Sequence, residues 1–492
     1  MNLIRKKIIA TLSLAALSLT CSNSFANDRF TEHSTSTKVS KIAKVAPSKP
    51  NIIFIFADDF GWGDISKHGH PDIRTPNIDR LANEGSEFYQ FSVSNPVCSP
   101  SRAAAMTGLY PSRTSIHRHL SGFEHHENFS MADWLDTEEV NMPKVMKSAG
   151  YKTAHFGKWH MGNNGGAPEP VEYGYDEAKV FNGNGPQTTF ADLYDDAVDF
   201  MQRNKDEPFF INLWIHETHT PHDPSKKSLE KYKHLNEQDR VYAAVVDGAD
   251  VRIGKVLKAL DDLNLTDNTL VVFSSDNGPE HTGTEKDKRH GDGKLNIMQG
   301  PYPFGKYYST GSSAGLRGGK RDTYEGGLRV PFIVRWPAAV PVGRVDTQSI
   351  VTAVDLLPTF AEAAGATLPE GYKSDGQSVL SLLKGGTSKR EKPMFWEWRY
   401  GKSDGKEPML AVREGPWKLF VHQHNNSVEL YNVMLDRNET RDVSELHPEM
   451  VKSMKALALD WKKTLPVEPR PNAVSESRLK KSVKMKNKHT KA

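Results

Sequence analysis

Two apolar runs of strand length, each ending in acids or amides, constrain this chain more than anything else in it. Asn51-Ile52-Ile53-Phe54-Ile55-Phe56 is apolar from its second residue and leads into Asp58-Asp59. Leu270-Val271-Val272-Phe273-Ser274-Ser275 leads in the same way into Asp276-Asn277-Gly278. A strand that is apolar on successive residues buries both faces, which predicts a place in the middle of a mostly parallel sheet covered by helices. Such strands carry their polar ends to one sheet edge, where open α/β folds keep their sites. Acids at turns are common, so each pair alone says little. Together, Asp58, Asp59, Asp276 and Asn277 make an all-oxygen set suited to a hard cation, and so many protein oxygens favour Ca2+ over Mg2+.

Helix-like segments lie between the strands: Pro76 to Asn83, Met142 to Ser148, Ala191 to Gln202 and Arg240 to Leu263. The last carries an apolar stripe through Val241, Ala244, Val245, Ala249, Ile253, Val256, Leu257 and Leu260. The alternation predicts an α/β domain with a central mixed, mostly parallel sheet over residues 50–375. After Val354 to Phe360, read as a helix, the strands shorten. Met394 to Trp398, Met409 to Arg413, Trp417 to Val421 and Val428 to Tyr431, followed by a helix over Pro448 to Leu465, predict a small C-terminal antiparallel sheet with one helix, residues 376–466. Trp396, Trp398 and Arg399 are within reach of a cleft, though core packing is the ordinary fate of such tryptophans.

Cys98 stands where the strand-like Phe88-Tyr89-Gln90-Phe91-Ser92-Val93 gives way to the alanine-rich stretch Ser101 to Met106. Pro100 suits a first helical turn, so Cys98 is expected at a helix N-terminus, where free N–H groups favour an anion. Arg102 adds a cation one turn on. A buried, inert thiol is the plain alternative. The run Cys98-Ser99-Pro100-Ser101-Arg102, with its extension Ala-Ala-Ala-Met-Thr-Gly-Leu-Tyr-Pro-Ser-Arg, resembles the maturation motif of the formylglycine-dependent type I sulfatases of the alkaline phosphatase superfamily. The resemblance implies that Cys98 becomes 3-oxoalanine (Cα-formylglycine), made by a formylglycine-generating or anaerobic sulfatase-maturating enzyme, and that its hydrate is the nucleophile. It also implies that Asp58, Asp59, Asp276 and Asn277, with the modified Cys98, bind the divalent metal, and it narrows the fold to the alkaline-phosphatase-like one.

Three further motifs match the family. Gly157-Lys158-Trp159-His160-Met161-Gly162 follows a strand candidate, Tyr151 to Phe156; the resemblance gives Lys158 a sulfate contact and His160 the role of base. A buried strand, Pro208 to Ile215, ends in His216-Glu217-Thr218-His219-Thr220-Pro221-His222. Three histidines could gather zinc, but the carboxylate set competes for the metal role. The family pattern makes His219 the acid near the leaving oxygen, leaves His216 as a packing neighbour and offers His222 as a substrate contact. Gly315-Leu316-Arg317-Gly318-Gly319-Lys320 precedes a strand over Val330 to Arg335; by resemblance Lys320 bridges sulfate and leaving oxygen, with Arg317 and Arg321 shaping the loop. The segments Pro279 to Ser313 and Phe123 to Leu135 have little apolar pattern and are expected to overhang the site and recognise substrate.

At the N-terminus, Arg5-Lys6-Lys7, the apolar Ile8 to Leu19 and Ser24-Phe25-Ala26 read as a signal peptide, residues 1–26. Ser18-Leu19-Thr20 before Cys21 is a poor lipid-attachment site, so soluble export to the periplasm or medium is expected. Residues 27–49 read as a flexible leader. If Cys21 leaves with the signal, Cys98 is the lone cysteine and no disulfide forms. The net charge of +3 conceals a basic end, 467–492, read as a disordered tail. No aromatic-rich basic patch accompanies it, so nucleic acid is not an expected partner, and no later segment is apolar enough to span a membrane. The expected function is removal of sulfate from a sulfated carbohydrate (carrageenan-type galactan, ulvan or glycosaminoglycan). A phosphoester or phosphonate hydrolase of the same fold, and an unmatured carbohydrate-binding relative, are the alternatives.

Overall fold

The computed structural model describes residues 49–162, 165–181, 190–281, 309–387, 389–405 and 409–481. The signal and leader expectations up to residue 48, most of the Pro279–Ser313 segment, and residues 482–492 lie outside them.

Eight strands form the larger sheet: β1 Asn51–Ala57, β2 Ser86–Ser92, β3 Lys152–Lys158, β4 Glu177–Phe181, β5 Phe209–Trp214, β6 Thr269–Ser275, β7 Phe332–Arg335 and β8 Arg344–Thr352. Their order is β4-β3-β5-β1-β6-β7-β2-β8. Only β7 runs against its neighbours, pairing antiparallel with β6 and β2; the sheet is mixed and mostly parallel, as expected. The continuous apolar run of β1 has a simple consequence. Ile52, Phe54 and Phe56 point into one apolar cluster and Ile53, Ile55 and Ala57 into another, so the strand joins two cores on opposite faces of the sheet. Helix Glu237–Asp262 covers one of these faces, its N-terminus capped by the Asn236 side chain accepting from Asp239 N–H.

Register then fixes the site. β1 and β6 are parallel with Ala57 opposite Ser275, so Asp58 and Asp276 leave the sheet at one level. β5 lies on the other side of β1 and β3 beyond it, which brings the His216–His222 segment and Lys158 to the same edge.

A second sheet, β9 Met394–Trp398, β10 Met409–Glu414, β11 Trp417–His422 and β12 Ser427–Asn432, is antiparallel throughout in the order β12-β11-β10-β9. Helix Pro448–Lys463 packs on it through Met454, Ala458 and Trp461, in a cluster shared with Ala104 and Tyr110 of the large domain. Trp396 donates its indole N–H to Val93 O and is core, whereas Trp398 lies under Arg118.

One feature departs from the sequence expectations. Residues 467–481 make specific contacts with the large domain rather than standing free. Trp134 Nε1 donates to Asn472 O (2.7 Å), Ser475 N to Asp133 Oδ2 (2.8 Å), and Arg478 pairs with Asp133. Arg470 reaches Glu139 (2.9 Å) and Lys481 reaches Glu127 (2.8 Å), so the basic composition of this segment answers a set of acids in the 127–139 region. The Phe123–Leu135 stretch meets this segment through Asp133, against which His126 is also buried (2.7 Å).

The glycine loop carrying Lys320 is tied to the second sheet by buried charges. Lys418 Nζ donates to Glu325 Oε1 (2.9 Å) and lies 3.0 Å from Glu439 Oε1, while Glu325 N–H donates to Glu439 Oε2 (2.6 Å). Burial pushes the Glu439 carboxyl up from its ordinary 4.5 to about 7, against the pull of Lys418 and with the help of Glu325. A raised acid binds a proton on folding, so its contribution is present in full below pH 4.5 and is lost as pH rises through about 7. Urea unfolding from pH 5 to 8 is expected to show stability falling with pH by on the order of 3 kcal/mol from this group. Glu439→Gln is expected to flatten that slope; an unchanged slope in the variant would assign it elsewhere.

Candidate active site

Cys98 is the first residue of helix Cys98–Thr107, and its N-cap, Val97, supplies no side-chain bond to the first turn. All ten residues of this helix are buried, and Cys98 is 3% exposed. Its Sγ lies 3.2 Å from His160 Nδ1. His160 stands just past β3 with φ 53°, and its Nε2 lies 2.8 Å from Leu120 O. A carbonyl can only accept, so the proton sits on Nε2 and the Nδ1 lone pair faces Cys98. Burial, with Lys158 nearby, holds the His160 imidazole well below its ordinary pKa and so neutral.

The four oxygen-bearing residues converge. Asp59 N–H donates to Asp276 Oδ1 (3.2 Å), and Asn277 Nδ2 donates to Asp59 Oδ1 (2.7 Å). Asp58, Asp59, Asp276 and Asn277 are all fully buried. Single ligand atoms of Asp58, Cys98 and Asp276 fall within 4.8 Å of one another. Lys158 Nζ donates to Asp58 Oδ2 (2.6 Å) and Lys320 Nζ to Asp59 Oδ2 (2.6 Å). Burial opposes ionisation of Asp58, but Lys158, His219, His216 and Arg102 outweigh it and hold its pKa well below the ordinary value. Burial wins at Asp276, aided by Asp58 and only partly offset by Arg102, and raises its pKa well above the usual range. Asp59 is raised for the same first reason. Three carboxylates thus crowd a desolvated space, each held by one cation: Lys158, Lys320 or Arg102. Among the described residues, Asp58 Oδ1 and Asn277 Oδ1 accept no hydrogen bond. Buried oxygens without donors in an all-oxygen set fit a hard divalent cation.

Arg102 lies behind this cluster. Its Nε and Nη2 donate to Asp276 Oδ2 (2.9 and 2.6 Å), Nη2 is 3.6 Å from Asp58, and Nη1 donates to Lys158 O. With the guanidinium packed over Trp214 and Phe56 and fully buried, it steadies the carboxylates. His219 has Nδ1 2.6 Å from Thr220 O and Nε2 3.7 Å from Asp59 Oδ2. His222 is set back, buried against Tyr242 with Nε2 3.2 Å from Ser309 Oγ.

Residues that sequence reasoning passed over are also here. His216, read as a packing neighbour, bonds Asp58 through Nδ1 and stacks on His219; Asp58, His216 and His219 form a second set with metal-ligand spacing. The direct His216–Asp58 bond spends one of those ligand atoms, which leaves the oxygen set the better match. Glu280 is buried and takes Arg321 Nη1 (2.7 Å). Arg317, expected to shape the glycine loop, packs on Tyr324 (3.7 Å) and donates to Tyr431 OH, pinning that loop to the second sheet.

Residues 50–366 match the family model described as Sulfatase, and residues 318–464 match one described as N-sulphoglucosamine sulphohydrolase, C-terminal. The chain is 30% identical over 441 residues to an N-acetylgalactosamine-6-sulfatase of Canis lupus familiaris, spanning 81% of this chain and 77% of that protein. It is 28% identical to an N-acetylgalactosamine-6-O-sulfatase of Bacteroides thetaiotaomicron, over 85% of this chain and 94% of that one. Among solved structures, Ps i-CgsB in complex with k-i-k-neocarrahexaose superposes with a TM-score of 0.71 at 29% identity, covering 87% of this chain and 96% of that one. Converging buried carboxylates, a base beside Cys98 and a match across most of the chain have one common reading: this chain belongs to the type I sulfatase family of the alkaline phosphatase superfamily and is a sulfuric ester hydrolase.

Proposed function

We propose that this enzyme is an exported, Ca2+-dependent carbohydrate sulfatase acting on a galacto-configured sugar sulfate, with Cys98 matured to 3-oxoalanine by a formylglycine-generating or anaerobic sulfatase-maturating enzyme. The observation that carries the reading is the placement of Cys98 Sγ, 3.2 Å from the Nδ1 of a neutral, buried histidine and within ligand spacing of Asp58 and Asp276. The sugar is supported by relatives named for N-acetylgalactosamine 6-sulfate and by the structural neighbour that holds a neocarrahexaose. Export is supported by the signal pattern of residues 1–26.

A hydrated aldehyde at position 98 would supply one hydroxyl oxygen as nucleophile and a second hydroxyl whose loss of a proton re-forms the aldehyde and expels sulfate with the first oxygen. A bound cation supplies charge to the sulfate oxygens as the bond to the alcohol lengthens. The chain's own residues do the rest. His160 Nδ1, its tautomer fixed by Leu120 O, takes the proton from the group at position 98. Lys158 and Lys320, anchored on Asp58 and Asp59, are held where negative charge develops, so little reorganisation is needed at the moment of reaction. His219 hands a proton to the departing alcohol. Burial, with Lys158 and Lys320, keeps its pKa low in the free protein, and a sulfate ester seated between those lysines adds the negative charge that favours its protonated form.

The test joins mass spectrometry to sulfate release. After co-expression with a maturation enzyme, the Cys98 peptide is expected at the oxoalanine mass. Ion chromatography is expected to detect sulfate from N-acetylgalactosamine 6-sulfate or a carrageenan oligosaccharide, in preference to ulvan fragments and to p-nitrophenyl phosphate. Chelation is expected to abolish release, with Ca2+ restoring more than Mg2+. An intact thiol would sink the mechanism; cleavage of p-nitrophenyl sulfate alone would sink the carbohydrate assignment.

A further inference from the structure

The segment between helix Cys98–Thr107 and helix Phe123–Asn128 passes beside the nucleophile. Leu120 donates its N–H to Ser99 Oγ (2.9 Å) and its carbonyl takes His160 Nε2. Arg118 and His119 stand immediately before it in the chain; His119 feels the charges of His160 and Lys320, and Arg118 feels that of Arg321. Arg321 approaches from the other side, its N–H donating to Pro96 O (2.8 Å).

The cations in this region differ in one respect. Lys320 is paired with Asp59, Arg321 with Glu280 and Arg399 with Glu397. Arg118 has no carboxylate within ion-pair distance among the described residues. Its guanidinium is wedged between Trp398 (3.8 Å) and Phe129 (4.9 Å), with Nη1 donating to Arg399 O (3.2 Å) and Nε buried without a partner. Asp404, the acid whose charge reaches it, acts from beyond ion-pair distance and takes Gly401 N–H on Oδ2 (2.9 Å). Burial, together with Arg321, depresses the Arg118 pKa to about 10. Aromatic faces offset only part of the cost of desolvating a cation. A guanidinium held rigid, largely desolvated and without a counter-ion beside a nucleophile is prepared for an anion that the protein does not itself supply.

We propose that Arg118, with Arg321 beside it, is a second anion subsite next to the nucleophile, taking a carboxylate or a second sulfate carried by the same saccharide as the sulfate to be cleaved. The inference rests on the carbohydrate reading above. It makes the enzyme selective for polyanionic saccharides over singly charged ones, through binding rather than through the chemical step.

Calorimetry with Ca2+ and the full chain purified as the Cys98 thiol reads this without turnover. One probe pair is N-acetylgalactosamine 6-sulfate against chondroitin 6-sulfate disaccharide, which adds a carboxylate. The other is a singly against a doubly sulfated carrageenan disaccharide. The doubly charged member of at least one pair is expected to bind about tenfold to a hundredfold tighter, the worth of a charge-assisted contact, and the pair that shows it identifies the second anion. Arg118→Gln and Arg118→Met, the latter keeping the stem between the two rings, are expected to erase the preference while singly charged probes bind as before; Arg118→Lys is expected to restore part of it. Saccharide binding without preference for the doubly charged member, or a preference that survives both neutral variants, overturns the subsite alone. Binding of no saccharide, while matured enzyme cleaves p-nitrophenyl sulfate, overturns the carbohydrate reading and the subsite with it.

Discussion

Replacing His160 with asparagine is expected to lower kcat on any cleavable sulfate ester by about a hundredfold to ten-thousandfold, the usual worth of a general base, and to leave the melting temperature nearly unchanged. Asparagine suits the test because residue 160 sits at φ 53°, a left-handed conformation that asparagine tolerates better than most residues. Its shorter side chain does not span from Leu120 O to position 98, a gap the imidazole bridges with both nitrogens. The imidazole is neutral in the folded protein, so the substitution removes a proton acceptor and no charge. Single-turnover kinetics beside a thermal melt separate the two effects. A loss smaller than about tenfold would move the base to another residue.

Asp276→Asn is expected to carry the largest stability cost of any single site substitution, about 3–5 kcal/mol in the cation-loaded protein. Asp276 takes two guanidinium bonds from Arg102, and both side chains are fully buried. The asparagine leaves that cation in the interior with only the longer approach to Asp58, 3.6 Å away. Burial and Asp58 oppose ionisation of Asp276 when no cation is bound, so the cost is expected to shrink in chelator. Urea unfolding with and without Ca2+ reads both numbers. The double variant with Arg102→Met is expected to recover stability without recovering metal affinity, because it removes both members of the buried pair. Equal costs with and without metal would mean that Asp276 serves Arg102 alone.

Much of this was legible where a local pattern and a tertiary role coincide. The runs that became β1 and β6 are apolar because they lie mid-sheet, and their terminal acids converge because the strands are parallel neighbours. Helices Pro76–Asn83 and Met142–Ser148 and strand Met394–Trp398 fall where proline, amphipathic spacing and aromatic alternation put them. Strands β4 and β8 were not foreseen: both are half-exposed and polar, and most of what defines them is their pairing partners. His216 was misread because its partner, Asp58, is set by β5 lying beside β1, although a histidine one residue past a strand flanking the acidic pair was a usable signal. Residues 467–481 were misread from composition. Arg470, Arg478 and Lys481 meet acids more than three hundred positions away, and no window along the chain shows that.

Burial of the nucleophile's helix also sets a clock. With Cys98 3% exposed and the neighbouring Ala104 and Tyr110 sealed beneath Leu410, Val421 and Trp461, no second protein can grasp Sγ once the chain has closed. About 360 residues separate Cys98 from Trp461, roughly 20 to 70 seconds of synthesis at about 5–20 residues per second. The conversion of Cys98 proposed above would fall within that interval or on a chain that has not yet closed. Under that proposal, yield of active enzyme in a foreign host would be a race between modification and closure, in which slower synthesis or delayed folding is expected to gain activity while the amount of folded protein stays the same.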